Sequence, residues 1–172
     1  MRRRYPKTLG FLAYFQSYSN TYDKLDKLKA LYDVALSHPD IAGIVIGTRP
    51  DCLPDEVLDY LADLVKRTLV ELEIGIESCN DEVLRECLRG HDFACTQDAI
   101  RRAAERGLFI TGHLLLGLPK ETPVSAALSR AVERLSGVSG RWEFLPPQVS
   151  RLQEFLSRYG TGKMRKVGLI AG

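Results

Sequence analysis

The sequence predicts an α/β fold built from parallel strand–helix units. Apolar segments alternate with segments of helical period, which is the pattern of βα units. The apolar segments begin near residues 9, 41, 69 and 108. Spacings of about 30 or more residues leave room for one helix between successive parallel strands. We therefore expect about four βα units that share one sheet.

The composition is that of an ordinary globular domain. Hydrophobic residues make up 45% and charged residues 27% of the 172 positions, and the formal net charge is +2. Such a balance requires no nucleic-acid partner. No apolar run approaches the roughly 18 residues of a membrane helix, and no signal-peptide core follows the N-terminal basic residues. We expect a cytoplasmic protein without membrane contacts.

The first two strands are predicted on either side of an amphipathic helix. Residues 9–15 form an apolar strand, and residues 41–48 are a continuous apolar run, as in a strand buried on both faces. Residues 23–37 between them carry one apolar helical face. That face consists of Leu25, Leu28, Leu31, Tyr32 and Ala35.

The third strand has two unlike faces. Pro54 suits the first turn of the helix that precedes this strand. Residues 69–76 then alternate between apolar side chains and a side that carries Glu71 and Glu73. Since successive residues of a strand point to opposite faces, the side with the glutamates must meet polar groups.

Two helices and a fourth strand follow. A short helix over residues 81–88 is expected to end at Gly90, and Thr96 is expected to cap a longer helix that stops at Gly107. Residues 108–116 are the fourth strand. We divide the chain into an incomplete barrel core over residues 1–136 and a divergent tail over residues 137–172. The tail is expected to lie outside the sheet.

The four cysteines are expected to be reduced thiols. They are Cys52, Cys79, Cys87 and Cys95. Their spacing is too irregular for a secreted disulfide framework. His91 lies between the last two, but Gly90 interrupts any helix there, and iron–sulfur ligands normally sit at tight loop spacings. We expect no metal site in this chain.

Polar residues follow each predicted strand directly. Because the carboxyl ends of parallel strands meet at one edge, where ligands bind in βα folds, we expect these residues to form one site. They are Gln16, Ser17, Thr48, Arg49, Glu77, Ser78 and His113, followed by the turn of Gly117, Leu118 and Pro119.

Each group also has a purely structural interpretation. Residues 48–51 read equally well as a turn fixed by Pro50. Glu77 and Ser78 suit the start of the following helix, where such side chains cap backbone N–H groups. His113 inside an apolar strand is typical of a core histidine whose hydrogen bonds are satisfied.

Five segments in register carry a family resemblance. They read YFQSYSNTY, IGTRPDCLPDEV, ELEIGIES, LRGHDF and HLLLGLPKET. Together, over about residues 9–122, they resemble the radical S-adenosylmethionine (SAM) proteins, and among these a bacterial group similar to the elongator catalytic subunit and oxygen-independent coproporphyrinogen oxidase. The resemblance implies a partial barrel of the radical SAM type, here with about four of its six βα units.

The resemblance also implies a chemistry. Such proteins hold a 4Fe-4S cluster by a Cys-x3-Cys-x2-Cys loop and cleave SAM reductively to a 5′-deoxyadenosyl radical. By motif, Glu77 resembles the position that contacts the SAM ribose, and Arg89 resembles the one that pairs with its carboxylate. His113 resembles a further contact, and the turn that begins at Gly117 would pack along the adenine.

The sequence departs from this pattern at three points. It contains no Cys-x3-Cys-x2-Cys motif, Lys120 stands where the family usually has glycine, and the resemblance ends after about Leu135. We therefore expect a truncated copy that keeps SAM-site residues and is inactive by itself. The alternative is a non-catalytic remnant that acts as a nucleotide-binding or partner-binding module.

The sequence also raises the question of two partners, an RNA and a second copy of the chain. Arg2, Arg3 and Arg4, with Tyr5, Tyr14, Tyr18 and Tyr22, suggest an RNA substrate. The sequence pI of about 8.3 lies below the value of about 9 that is usual for nucleic-acid-binding domains. A first strand at an unpaired sheet edge would favour self-association.

Overall fold

A parallel sheet forms the centre of the molecule. The computed structural model describes residues 10–115 and 118–121, together with the backbone of residues 141–145 and 167–168. All neighbouring strands are parallel and follow the order of the chain. The strands are β1 (Phe11–Phe15), β2 (Ile41–Thr48), β3 (Leu69–Glu77), β4 (Phe109–Leu115), β5 (Arg141–Leu145) and β6 (Val167–Gly168).

Helices alternate with the first four strands. They are α1 (Leu25–Leu36), α2 (Asp55–Val65), α3 (Asp81–Glu86) and α4 (Phe93–Glu105). A short 3₁₀ turn, Pro50–Cys52, precedes α2. This alternation confirms the α/β class and the partial parallel barrel. None of the helices in the described part of the chain is both long and apolar enough to cross a membrane.

The core lies between the helices and one face of the sheet. Ile44 and Leu72 on that face are fully buried, as is Leu61 of α2. Burying an aliphatic side chain of this size contributes about 1.5–3 kcal/mol, so this face fixes the register of β2 and β3. The opposite face of β3 carries Glu71 and Glu73, which confirms the predicted alternation.

Two local predictions about the helix N-termini are wrong. Asp92, not Thr96, caps α4, because its side chain accepts from the backbone N–H of Cys95 at 2.8 Å. Thr96 lies inside the helix and is fully buried. Pro54 is the N-cap of α2 and not a residue of its first turn.

The end of α3 also differs from its prediction. The helix stops at Glu86, well before Gly90, and the chain reverses at Leu88, which has a φ of 54°. The N–H of Arg89 then bonds to the carbonyl of Leu84 at 2.9 Å. This closing bond is typical of a helix C-terminus, and it decides where Arg89 leaves the helix.

Contrary to the prediction, the tail contributes strands to the sheet. β5 pairs with β4 over five positions, with Trp142 opposite Gly112, and β6 pairs with β5. β5 has only five residues and lies between turn-forming segments, so its sequence did not predict a strand. The boundary at residue 136 stays a prediction.

The two partner predictions are not decided by the fold. β1 is an edge strand of the sheet that the structure describes, so self-association stays a prediction. Residues 1–9, which include the basic triplet, lie outside the described residues. RNA binding and a cytoplasmic location also stay predictions.

Candidate functional site

A cleft of about 870 Å³ opens at the carboxyl ends of the first strands. This volume lies within the range of small-molecule sites. Six of the residues expected from the sequence line it: Gln16, Thr48, Arg49, Glu77, Arg89 and His113. Side chains from four strands and from the segment after α3 therefore meet in one place.

Glu77 and Arg89 form an ion pair at the end of β3. Their side chains are only 19% and 22% exposed, and Arg89 Nη2 lies 3.3 Å from Glu77 Oε1. Nη2 also donates to the carbonyl oxygen of Gly75 at 3.1 Å. The Nε–H of Arg89 is buried and has no hydrogen-bond partner within the described residues. The guanidinium is thus fixed in place but incompletely satisfied.

The backbone around this pair is specialised. Glu77 has a φ of 64°, a left-handed conformation that costs a residue with a side chain about 1–2 kcal/mol. The β3–β4 register shifts between Gly75 and Glu77. A Cβ at Gly75 would lie 2.8 Å from Glu77 Oε1 and 3.4 Å from Arg89 Nη2. A side chain at position 75 would therefore displace the Glu77 carboxylate.

A second ion pair lies at the end of β2. Arg49 donates to both carboxylate oxygens of Asp51, from Nε at 2.9 Å and from Nη2 at 2.6 Å. These hydrogen bonds raise the pKa of Arg49 and lower the pKa of Asp51. A Cβ at Gly90 would lie 3.0 Å from Arg49 Nη2. Gly90 therefore leaves room for this pair, although it does not end α3.

The polar segment after β1 ties that strand to β2. Asn20 Nδ2 donates to the carbonyls of Phe15 at 2.9 Å and Gly47 at 3.0 Å. Thr21 Oγ1 lies 2.5 Å from Thr48 Oγ1 and also donates to the carbonyl of Cys52. Thr48 thus borders the cleft, but its hydroxyl is hydrogen-bonded to Thr21 of the loop after β1.

Tyr14, Glu73 and His113 form the floor of the cleft. The Tyr14 hydroxyl donates to Glu73 Oε2, and His113 Nε2 lies 3.5 Å from the same oxygen. Sequence reasoning missed Tyr14 and Glu73 as site residues. The alternation of β3 already placed Glu73 on a polar face, but its partners depend on the pairing of three strands.

The remaining expected residues lie away from the cleft or outside the described part. Ser17 is exposed and is not part of the cleft lining. Ser78 is buried, and its hydroxyl donates to Glu121 Oε2 at 2.7 Å. Leu118 and Pro119 belong to a turn that borders no part of the cleft. Gly117 lies outside the described residues.

Asn80 caps α3 by accepting from the N–H of Glu82 at 3.1 Å. The capping interpretation is therefore wrong for Glu77, whereas Ser78 Oγ accepts from the N–H of Asn80 itself at 3.1 Å, just before the helix. Lys120, where the family resemblance led us to expect glycine, has a φ of 59°. That left-handed conformation favours glycine.

The cysteines do not form a metal-binding group. All four are free thiols, and Cys79 is buried. No group of three or more His, Cys, Asp or Glu residues in the described ranges has a geometry that would hold a metal ion. These residues therefore do not fit a 4Fe-4S cluster, which is usually held by three or four thiolates.

The chain matches the model of a known protein family. A model of the Radical SAM superfamily matches residues 10–127. The chain belongs to the radical SAM superfamily. Protein YhcC of Escherichia coli is 42% identical over 133 residues, which are 76% of this chain and 42% of YhcC. The chain thus spans about two fifths of that relative.

Two solved structures share the fold. Coproporphyrinogen III oxidase (HemN) from Escherichia coli, a radical SAM enzyme, superimposes with a TM-score of 0.58 at 18% identity, over 86% of this chain and 34% of HemN. The Elp3 protein of Methanocaldococcus infernus gives 0.55 at 20% identity, over 80% of this chain and 32% of Elp3. The predicted family resemblance is confirmed.

Proposed function

We propose that the cleft binds S-adenosylmethionine and that this chain is the SAM-binding part of a radical SAM protein. The observation that carries the proposal is Arg89. Its guanidinium is fixed by Glu77 and Gly75, while its buried Nε–H has no hydrogen-bond partner among the described residues. A fixed, incompletely satisfied guanidinium is suited to a carboxylate, which binds two N–H groups at once.

The other cleft residues complete this assignment. In the proposal, Glu77 accepts from the ribose hydroxyls and Arg89 pairs with the SAM carboxylate. His113 makes a further polar contact, and Gln16 and Arg49 border the ligand. When bound, SAM supplies the adenosyl group that the superfamily uses in radical chemistry.

A second candidate is a non-catalytic nucleotide-binding module. It is favoured by the free cysteines and by the lack of a metal-binding group in the part that the structure describes. Both candidates require an adenosyl ligand in the cleft. They differ only in whether the chain takes part in electron transfer to that ligand.

Calorimetry with S-adenosylhomocysteine tests the shared step. This analogue keeps the adenosyl, amino and carboxylate groups but has no sulfonium charge. Wild-type protein is expected to bind it, and Arg89→Gln is expected to weaken binding about thirtyfold, since hydrogen bonds to charged groups contribute about 1.5–3 kcal/mol. The matched control is Arg101→Gln, which changes an exposed arginine of α4. Equal affinities for both variants would contradict the proposal.

Anaerobic incubation with iron and sulfide separates the two candidates. Iron bound in stoichiometric amount, with 5′-deoxyadenosine formed from SAM and a reductant, would support the enzyme. The free cysteines lead us to expect neither result from this chain alone. Binding of S-adenosylhomocysteine without either result would support the non-catalytic module.

A further inference from the structure

The arginine directly after β2 has a side chain whose hydrogen bonds, among the described residues, stay within one turn. Arg49 donates from Nε and Nη2 to the carboxylate of Asp51, two residues further along the chain. Its Nη1 donates to no residue in the part of the chain that the structure describes. A partly exposed pair of this kind contributes little to stability, and its hydrogen bonds join no two helices or strands. The role of this side chain in the fold is therefore small.

Several neighbours nevertheless hold the guanidinium in one place. Thr48 before it and Pro50 after it are both buried, so the backbone is anchored on each side. Asp51 engages two of its nitrogens, at 2.9 and 2.6 Å. A Cβ at Gly90 would lie 3.0 Å from Nη2 of Arg49, so the guanidinium lies against a position without a side chain. A guanidinium fixed in this way loses little freedom when it binds an anion.

The part of the guanidinium that Asp51 does not engage is suited to a ligand in the cleft. Arg49 lines the cleft and its side chain is 37% exposed, so a ligand can reach it. Asp51 takes Nε and one hydrogen of Nη2, which leaves the edge between Nη1 and Nη2. Such an edge presents two parallel N–H groups, and this geometry binds the paired oxygens of a carboxylate or a phosphate.

The other charges in the cleft limit where an anion can bind. Glu73 and Glu77 line the cleft too and repel an anion. Arg49 and Arg89 are the arginines among its described lining residues. In the proposed function, Arg89 takes the carboxylate of SAM. Since SAM has one carboxylate and no phosphate, an anion at Arg49 has to come from another molecule.

We propose that Arg49 binds a carboxylate or phosphate group of the substrate, beside SAM in the same cleft. The proposal rests on the proposed function, which assigns the SAM carboxylate to Arg89. The cleft of about 870 Å³ lies near the upper end of the range for small-molecule sites, so it has room for a second ligand. The substrate class is therefore a molecule with an anionic group that reaches the end of β2.

Titration with simple anions tests the proposal. Inorganic phosphate and acetate are added separately to protein saturated with S-adenosylhomocysteine, so that Arg89 is occupied. The backbone N–H signal of Gly90, which lies beside the Arg49 guanidinium, is followed by NMR. We expect saturable binding of at least one anion to the wild-type protein and about tenfold weaker binding to Arg49→Gln. Arg101→Gln, which changes an exposed arginine of α4, should bind the anion as the wild-type protein does.

Two further measurements separate recognition by the guanidinium from the effect of its charge. Arg49→Lys keeps the charge but loses the planar fork, so it should also bind the anion less tightly than the wild-type protein. Arg49→Gln should bind S-adenosylhomocysteine about as tightly as the wild-type protein. A loss of that affinity as large as in Arg89→Gln would assign Arg49 to SAM and overturn the proposal.

The outcomes distinguish this proposal from the proposed function. If the wild-type protein binds neither anion, or if Arg49→Gln binds them equally tightly, the role of Arg49 is refuted even where S-adenosylhomocysteine binds. If S-adenosylhomocysteine does not bind, the proposed function fails, and the titration is repeated without it in Arg89→Gln. Weaker anion binding on adding Arg49→Gln then supports the anion site, and equal binding refutes it. If Arg49→Gln does not fold, Arg49→Lys decides, and a wild-type affinity there overturns the proposal.

Discussion

Arginine–carboxylate pairs occur in two regions of this molecule and differ in how completely the arginine is satisfied. On the outer surface, Arg102 of α4 donates from Nη1 to the Leu53 carbonyl at 2.8 Å and to Asp55 at 3.0 Å, and from Nε to Asp98 at 2.7 Å. These contacts use both edges of its guanidinium. They join α4 to the start of α2.

In the cleft, Arg89 has one carbonyl and one carboxylate, both on the same nitrogen. Its Nε–H lacks a hydrogen-bond partner in the described part of the chain. The outer pairs thus hold two helices together, whereas the cleft pair holds a cation ready for a further anion. The same chemistry joins two helices in one region and, in the proposed function, binds a ligand in the other.

The largest expected effect breaks the cleft pair through its backbone. Gly75→Ala would place a Cβ 2.8 Å from Glu77 Oε1 and displace that carboxylate from Arg89. We expect affinity for S-adenosylhomocysteine to fall about thirtyfold. The unfolding midpoint should change little, since the displaced atom ends a flexible side chain. In a Glu77→Gly background the same change should have no further effect on affinity, and a full thirtyfold loss there would contradict this explanation.

Arg102→Ala should affect stability and leave binding unchanged. Its partners are half exposed or more, and exposed pairs contribute at most about 1 kcal/mol each. With the Leu53 carbonyl included, we expect a loss of about 1.5 kcal/mol in the free energy of unfolding, measured by urea denaturation. Arg101→Ala, on the same helix but without contacts to α2, is the control. A weaker affinity for S-adenosylhomocysteine in Arg102→Ala would erase the contrast between the regions.

Glu77→Gly should separate stability from binding. Glycine relieves the φ of 64°, which contributes about 1 kcal/mol of stability, and the variant loses the ion pair with Arg89. We expect a slightly higher unfolding midpoint together with weaker ligand binding. Glu77→Gln keeps the strain and loses the charge, so it should bind weakly without any gain in stability. A lower midpoint for Glu77→Gly than for Glu77→Gln would show that φ is not strained there.

The smallest effect concerns Asp51 and pH. Hydrogen bonds from Arg49 lower the pKa of Asp51 in the folded protein. Its contribution to stability is therefore present above the unfolded pKa of about 3.9 and is lost as the pH falls through the folded pKa. Asp51→Asn should lower the free energy of unfolding by less than about 1 kcal/mol at pH 7. The difference from wild type should shrink as the pH falls below the unfolded pKa of about 3.9; a constant difference would refute the pairing.

Local patterns predicted most of the fold. The apolar run of β2 and the alternation of β3 gave both strands to within one residue. The cap of α4 was misplaced because Thr96 is a good capping residue by type, whereas the apolar phase of the helix makes it a buried position. β5 was missed because five residues between turns carry too short a period.

The sequence predicted those site residues whose position depends only on the strand that they end or follow. Glu77 and Arg49 follow their own strands and were expected at the rim. The alternation of β3 placed Glu73 on a polar face but did not identify it as a site residue. Its partners come from β1 and β4 and depend on strand register. Ser78 has the right position in the sequence, but it contacts Glu121 instead of the cleft.

The shift in register between Gly75 and Glu77 has a consequence for insertions and deletions. Two steps along β3 match one step along β4 there, so the strand has one residue more than its neighbour just before the rim. Deleting that residue would turn the carboxylate of Glu77, the last residue of β3, toward the helices. At this point of the sheet, the number of residues matters more than the identity of the extra one.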